Sequence, residues 1–323
     1  MTTSNLSPDP SFSTSTGYAM ARGAFTIING IASGHGGACG VDLRFLARFQ
    51  ITDEPGAVET TFLGPGSNSH MDDRLVRACA HRLLSDAGVP SDKGVRVETV
   101  SEIPASRGLK SSSAAANAIL MAGLNALGRS SEPLDIVNMG VDCAIEAGVT
   151  LTGAFDDAVA TMFGGAVLTD NEERSIISWP EVPGDLQVIF LYTDRKIQKD
   201  SLHREDFHPI HDQVQEAFRL AKDGDVARAI TLNGRAYAPI VGVDDTPAQA
   251  ALAAGAWAAG MTGTGPAIAV LYTAEAEEVV LAALASFPGT IVRTRVSTSP
   301  GMVLSGEEYA LHRKDVLGGA DHV

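Results

Sequence analysis

The run Pro104-Ala105-Ser106-Arg107-Gly108-Leu109-Lys110-Ser111-Ser112-Ser113-Ala114 places a proline, a glycine, a lysine and three serines where a strand-like run gives way to a helix. The first turn of a helix has unpaired N–H groups and a partial positive charge, so it can receive an anion such as a phosphate. Gly108 permits a turn that a Cβ would hinder. The serine hydroxyls can ligate Mg²⁺, and Lys110 adds a cation. The competing structural reading is a serine-capped buried helix. A second segment, Gly153-Ala154-Phe155-Asp156-Asp157-Ala158-Val159, sets two adjacent acids in apolar, glycine-flanked surroundings. Such acids are costly to bury without a cation or a task. They can cap a helix, or one can face a reacting hydroxyl as a base. The third segment, Gly260-Met261-Thr262-Gly263-Thr264-Gly265-Pro266-Ala267, is a glycine loop running into a strand.

These segments need elements to hold them. Strands are expected at 21–30, 41–51, 95–100, 166–168, 186–192, 267–272 and, as the last one, 290–296. Helices are expected at 72–87, 111–127, 134–147, 213–222, 225–232, 248–259 and 276–286, with a short helix inside 153–163. The charged, proline-bearing stretch 171–185 reads as a boundary. Strands and helices mix without a steady βαβ alternation, which predicts an α+β fold. The expected domains are a disordered tail at 1–19, an N-terminal domain at 20–178 and a C-terminal domain at 179–323. The tail is rich in Ser, Thr and Pro, with neither the apolar centre nor the basic start of a signal peptide.

Composition removes several functions. The net charge is −15, so no basic stripe is available for nucleic acid. Residues 246–274 carry no charge, but glycines and a proline interrupt them. They read as a buried helix, a turn and a strand rather than a membrane span. The 3 cysteines form no Cys-x-x-Cys pair, which fits free thiols in a reducing cytoplasm. No Gly-x-x-x-x-Gly-Lys-Ser/Thr motif occurs. The Gly34–Gly40 run lacks dinucleotide-loop spacing and precedes a strand. His203, His208 and His211 lie in a charged, loop-like stretch, an unpromising zinc site.

The Pro-x-x-x-Gly-Leu-x-Ser-Ser pattern resembles the second motif of the GHMP small-molecule kinases and the later glycine loop the third, and the Gly-x-x-Asp segment resembles the one that carries the catalytic aspartate in mevalonate-kinase-like members. That resemblance implies a two-lobed α+β fold, with an N-terminal lobe like domain 2 of ribosomal protein S5 and a ferredoxin-like C-terminal lobe. It implies ATP held by Pro104, Arg107, Gly108, Leu109, Lys110, Ser111, Ser112, Ser113 and Ala114, with Gly263 and Gly265 nearby. It implies Mg²⁺ on Ser112 and Glu146, and Asp156 as the catalytic residue. Glu146 also reads as a solvated helix end. The Pro-Gly-Lys segment of some relatives corresponds here to Arg22-Gly23-Ala24, so the lysine is missing.

The segments 24–34, 108–114 and 152–158 are similar to the archaeal shikimate kinase family within that superfamily. His35 departs from it, since a lysine is expected in that glycine loop. This likeness implies phosphorylation of the 3-hydroxyl of shikimate, with Arg22, Lys110, Asp156 and Thr262 on the substrate. Arg22, Lys110, Arg195 and Lys196 are the cations available for its carboxylate. Homoserine or mevalonate kinase activity, or a nucleotide-binding module without catalysis, are the alternatives. The sequence fixes no oligomeric state.

Overall fold

The computed structural model describes residues 15–64, 67, 71–150, 152–195 and 202–318. Residue types rich in β-branched and small side chains open the chain as a long hairpin, β1 (Thr16–Ile28) and β2 (His35–Thr52). Then come β3 (Val58–Leu63), α1 (Arg74–Ala87), β4 (Gly94–Ser101), α2 (Ser111–Ala126), α3 (Pro133–Glu146), α4 (Phe155–Phe163), β5 (Ala166–Asp170) and β6 (Ser175–Ser178). The second half holds β7 (Gln187–Tyr192), α5 (His211–Lys222), α6 (Val226–Val241), α7 (Thr246–Ala253), β8 (Ala258–Met261), β9 (Ile268–Tyr272), α8 (Glu277–Leu284) and β10 (Thr290–Arg295). The chain closes with β11 (Met302–Leu304) and α9 (Gly306–Gly318).

Two sheets result. A seven-stranded sheet runs β11-β1-β2-β4-β3, with β5 on β2 and β6 on β5. Its β2 changes partner along its length: Phe45–Thr52 pair with β4, whereas His35–Cys39 pair with β5. A four-stranded antiparallel sheet runs β10-β7-β9-β8. With helices between its first and second and its third and fourth strands in sequence, it is the ferredoxin-like arrangement. The two-lobed α+β expectation therefore holds.

The buried helix α2 packs across β1 and β2 in the first lobe. Ile119 and Leu120 are 0% exposed, and each such side chain contributes about 1.5–3 kcal/mol of burial. Asn117 is also fully buried, and its Nδ2 donates to the Ala158 carbonyl and the Thr161 hydroxyl, both at 2.9 Å. That pair of bonds ties α2 to α4, and so ties the serine loop to the acid pair.

Several boundaries move. The expected tail ends early, because residues 16–19 already pair with β2; residues 1–14 lie outside the described residues. Small, buried residues explain this: Ala19 and Ala21 are 0% exposed. The expected helix 248–259 stops at Ala253, and Gly255 at φ +94° turns the chain into β8. Alanine favours a helix on both sides, so only the glycine marks the break. The helix expected at 225–232 continues to Val241. The expected boundary 171–185 contains β6, and β3, β11 and α9 were not anticipated. Strand β10 is not the last, and the domain limits shift with it. Strand β11 pairs with β1, so the end of the chain belongs to the first lobe.

Candidate active site

The loop before α2 is built by contact with the second lobe. Gly108 has φ +89°, and a Cβ there would sit 2.2 Å from the Thr262 carbonyl oxygen. Gly263, at φ +61°, would place a Cβ 2.8 Å from the Gly108 Cα. Glycine is required at both because two backbones touch. The Thr262 hydroxyl donates to the Gly108 carbonyl and accepts from the Thr26 N–H, both at 3.0 Å. The Thr26 hydroxyl in turn accepts from the Gly263 N–H at 2.8 Å. The serine loop and the later glycine loop are thus fastened to each other and to β1.

Lys110 is the N-cap of α2, in the left-handed region at φ 64°. Its side chain makes no capping bond. Its Nζ instead lies 2.9 Å from Asp157 Oδ1, with the two side chains only 7% and 14% exposed. The first-turn N–H groups of α2 therefore face the loop without a cap from their own N-cap residue, beside the half-buried Ser111, Ser112 and Ser113. This geometry suits phosphate.

Asp156 begins α4 and is 4% exposed. Asn171, in the turn after β5, fixes it. The Asp156 N–H donates to Asn171 Oδ1 at 3.1 Å, and Asn171 Nδ2 donates back to Asp156 Oδ1 at 2.9 Å. The Thr169 hydroxyl also donates to Asn171 Oδ1, at 2.8 Å, which sets the amide the right way round. The other oxygen, Oδ2, faces Gly36, where a Cβ would approach it to 2.7 Å. Burial first, and the Asp157 charge second, push the Asp156 carboxyl up to about 7, against the pull of Lys110 and of the Asn171 amide. A carboxyl that titrates near neutrality is suited to accept a proton.

A cleft of about 290 Å³ is lined by Gly30, Gly34, Asn171, Glu172, Arg174 and Arg204, among others, and Asn171 joins it to the buried Asp156. The second lobe fastens the turn between β1 and β2 that carries Gly30. The Tyr237 hydroxyl of α6 donates to the Asn29 carbonyl at 2.8 Å and accepts from the Ala32 N–H at 2.9 Å. Asn233 accepts from the Asn29 N–H at 2.9 Å.

The comparisons with known proteins agree with this geometry. Residues 74–165 match the GHMP kinases N-terminal domain, and residues 215–289 match the GHMP kinases C-terminal domain. The chain belongs to the GHMP kinases. It is 39% identical over 280 residues to the shikimate kinase of Methanothrix thermoacetophila, covering 87% of this chain and 93% of that one. It is 39% identical to the shikimate kinase of Pyrococcus abyssi, covering 86% of this chain and 98% of that one. Among solved structures, L. major mevalonate kinase in complex with R-mevalonate superposes with a TM-score of 0.71 at 17% identity, covering 91% of this chain and 100% of that one. Homoserine kinase from Cytophaga hutchinsonii superposes with 0.68 at 18%, covering 93% and 100%. At these identities the two structures show the shared GHMP kinase fold.

On this kinase fold the expected site residues fall into two groups. Gly108, Lys110, Ser111, Ser112, Ser113, Asp156 and Gly263 come together around the start of α2 and α4, joined through Asn117 and Lys110. Pro104, Leu109 and Ala114 are buried beneath the loop. Gly265, at φ +78°, packs on Val243 and Met261. Thr262 is 0% exposed with its hydroxyl committed to Thr26 and Gly108, so it shapes the loop instead of reaching a substrate. Arg22 is also misplaced by the sequence reading. It pairs with Asp42 at the junction with Arg295, and sits opposite Arg44, far along β2 from Gly36. Arg107 stacks over Tyr192 at 5.4 Å and donates to the Arg195 carbonyl at 3.1 Å. Arg195 itself bonds the Gly242 carbonyl. Lys196 lies outside the described residues. Glu146 is exposed at the end of α3, and among the described residues no three of His, Cys, Asp and Glu gather to hold a metal.

Sequence reasoning missed Asn171, Tyr237, Arg174 and Arg204. Asn171 was hidden in a stretch that reads as a boundary. A signal did exist in Gly34 and Gly36, since alternate glycines entering a strand mark a face that something approaches closely.

Proposed function

We propose that this chain catalyses ATP-dependent phosphorylation of shikimate at its 3-hydroxyl. Near-full-length similarity to archaeal proteins named shikimate kinase carries this reading, and the buried Asp156 beside an anion-ready helix start supports it. The ATP phosphates lie against the first turn of α2, where N–H groups and serine hydroxyls supply donors. Shikimate occupies the cleft at Asn171. Its 3-hydroxyl gives its proton to Asp156 Oδ2 as the oxygen attacks the γ-phosphorus in line and ADP departs. Asn171 keeps Asp156 Oδ1 occupied and so presents Oδ2. Lys110 offsets the two neighbouring carboxylates.

The donor set suits Mg²⁺, which takes oxygen ligands and keeps several waters while using one or two protein groups and the substrate phosphates. Ser112 and Glu146 would hold it, and it would neutralise charge on the phosphates. Ser112→Ala should then raise the Mg²⁺ concentration needed for half-maximal rate; an unchanged requirement would remove Ser112 from the metal. No helix among the described residues is long and apolar enough to cross a membrane. The free, buried Cys39, Cys79 and Cys143 fit a reducing cytoplasm.

The test is ADP release over a panel of acceptors. Shikimate should support turnover and homoserine and mevalonate should not. Turnover on either of those in place of shikimate would overturn the substrate. ATP binding with no turnover on any acceptor would overturn catalysis.

A further inference from the structure

The cleft at Asn171 is more basic than the molecule around it. The chain has a net charge of −15, yet Arg174 and Arg204 both line this one cleft, against the single acid Glu172. Its size, about 290 Å³, stands at the lower end of the ~300–1,000 Å³ typical of small-molecule pockets. A compact anion fits these walls.

Of the other cations considered for such an anion, Arg22 is held by Asp42, Lys110 by Asp157 and Arg195 by the Gly242 carbonyl, while Lys196 lies outside the described residues. Among the described residues, Arg204 is held by Glu172, in a pair whose side chains are 54% and 61% exposed. Exposed pairs of this kind are worth little and exchange readily. Arg174 projects from the same turn as Asn171 and Glu172, in the left-handed region at φ 50°, and reaches Asp142 at 2.8 Å. A left-handed non-glycine residue is costly, and such positions concentrate at ligand sites.

We infer that Arg204, with Arg174 beside it, receives the carboxylate of the acceptor, and that Glu172 occupies Arg204 until that carboxylate displaces it. A planar guanidinium fits a carboxylate through two parallel bonds. The carboxylate and the 3-hydroxyl of shikimate sit on one small rigid ring, so anchoring one aims the other. With the carboxylate on Arg204, the hydroxyl turns toward the Asn171 end of the cleft, and Asn171 holds Asp156. Glu172 thereby acts as an internal competitor that disfavours acceptors lacking an anionic group. This assignment rests on the shikimate reading above.

The experiment compares shikimate with its carboxamide in the wild type, Arg204→Gln and Glu172→Gln, after the wild type has been shown to turn over shikimate. Failure of that first step would sink the functional reading itself. Arg204 is more than half exposed, so its substitution should leave the melting temperature unchanged. We expect Arg204→Gln to raise KM for shikimate by about 10–100-fold, the loss of one charge-assisted contact. Its kcat and its KM for ATP should stay within a few-fold, and the preference for shikimate over the carboxamide should collapse. Glu172→Gln should lower KM for shikimate or leave it unchanged. An Arg204→Gln enzyme that still prefers the carboxylate as strongly as the wild type would overturn the inference. So would a KM for shikimate that rises in Glu172→Gln, because Glu172 would then support Arg204 and not compete with the substrate.

Discussion

Burying Asp156 beside Asp157 is costly, and the cost has a readable sign. Its ordinary value of 3.8 rises to about 7 in the fold, so between those values the native state holds a proton that the unfolded state has lost. Stability therefore falls as pH rises through that window. Asp156→Asn removes this dependence, and the variant should melt higher than the wild type at about pH 8, while the difference shrinks below about pH 4. The same variant should lose at least about 100-fold in phosphoryl transfer, since asparagine cannot take the proton, with ATP affinity retained. Single-turnover rates, nucleotide titration and thermal melts check all three, and a variant that is active or destabilised at alkaline pH would exclude Asp156 as the base. In the wild type, kcat/KM for the acceptor should rise with pH around a midpoint near 7. Asn171→Ala deletes the amide that favours the carboxylate, so it should move that midpoint upward; a fixed midpoint would mean that Asn171 does not tune Asp156. The acid pair was legible in the sequence, because two adjacent aspartates among glycines and apolar residues need a reason. Asn171 was not, since an asparagine in a charged turn looks like any surface residue until the fold brings it back to α4.

At the scale of elements, the site is a loop pinned by another loop. The helix α2 could be foreseen from Ser111–Ala126 and their run of alanines, and the turn from Gly108. What could not be foreseen is that Thr262 and Gly263, from the second lobe, set the shape of that turn. The family resemblance implies a substrate contact for Thr262, and only its burial and its bonds to Gly108 and Thr26 show the structural task. Gly108→Ala follows from this contact. The left-handed backbone alone costs about 1–2 kcal/mol for an alanine, and the Cβ would also fall 2.2 Å from the Thr262 carbonyl oxygen. The loop must then move off the second lobe. ATP affinity should fall by more than about tenfold, with a lower melting temperature. Equilibrium binding of an ATP analogue and a melt decide it, and a variant with native affinity would show that the loop does not need the second lobe. The helix α6 was also expected to end sooner, at 232, yet it carries Pro239 within it and continues to Val241.

At the scale of the molecule, the chain crosses from the first lobe to the second and returns. Reading along the sequence predicts two successive domains, because nothing in a three-residue strand and a charged helix announces where they dock. The return is made by β11 on β1 and by α9 behind it. Together they close a small separate core in which Leu304, Tyr309 and Val316 cover Met20, Leu46 and Val100. The last residues of the expected tail belong to this closure, because Tyr18, Ala19 and Met20 pair with β11 and Thr16–Ala19 with β2. Tyr309 is the keystone of this core. It is 4% exposed, its ring lies 4.9 Å from that of Tyr18, and its hydroxyl donates to Glu98 at 2.9 Å, where Arg313 also donates at 3.0 Å. Tyr309→Ala should cost about 3 kcal/mol, the usual loss for a buried aromatic, and lower the melting temperature by roughly 5–10 °C. Leu311 is on the same helix but 61% exposed, so Leu311→Ala should change the melting temperature by no more than about 1–2 °C. The nucleotide loop lies elsewhere, so both variants should bind ATP like the wild type at temperatures where they are folded. Equal melting temperatures for the two variants would mean that α9 rests on the sheet without stabilising it. A loss of ATP affinity in folded Tyr309→Ala would mean that the return of the chain also sets the active site.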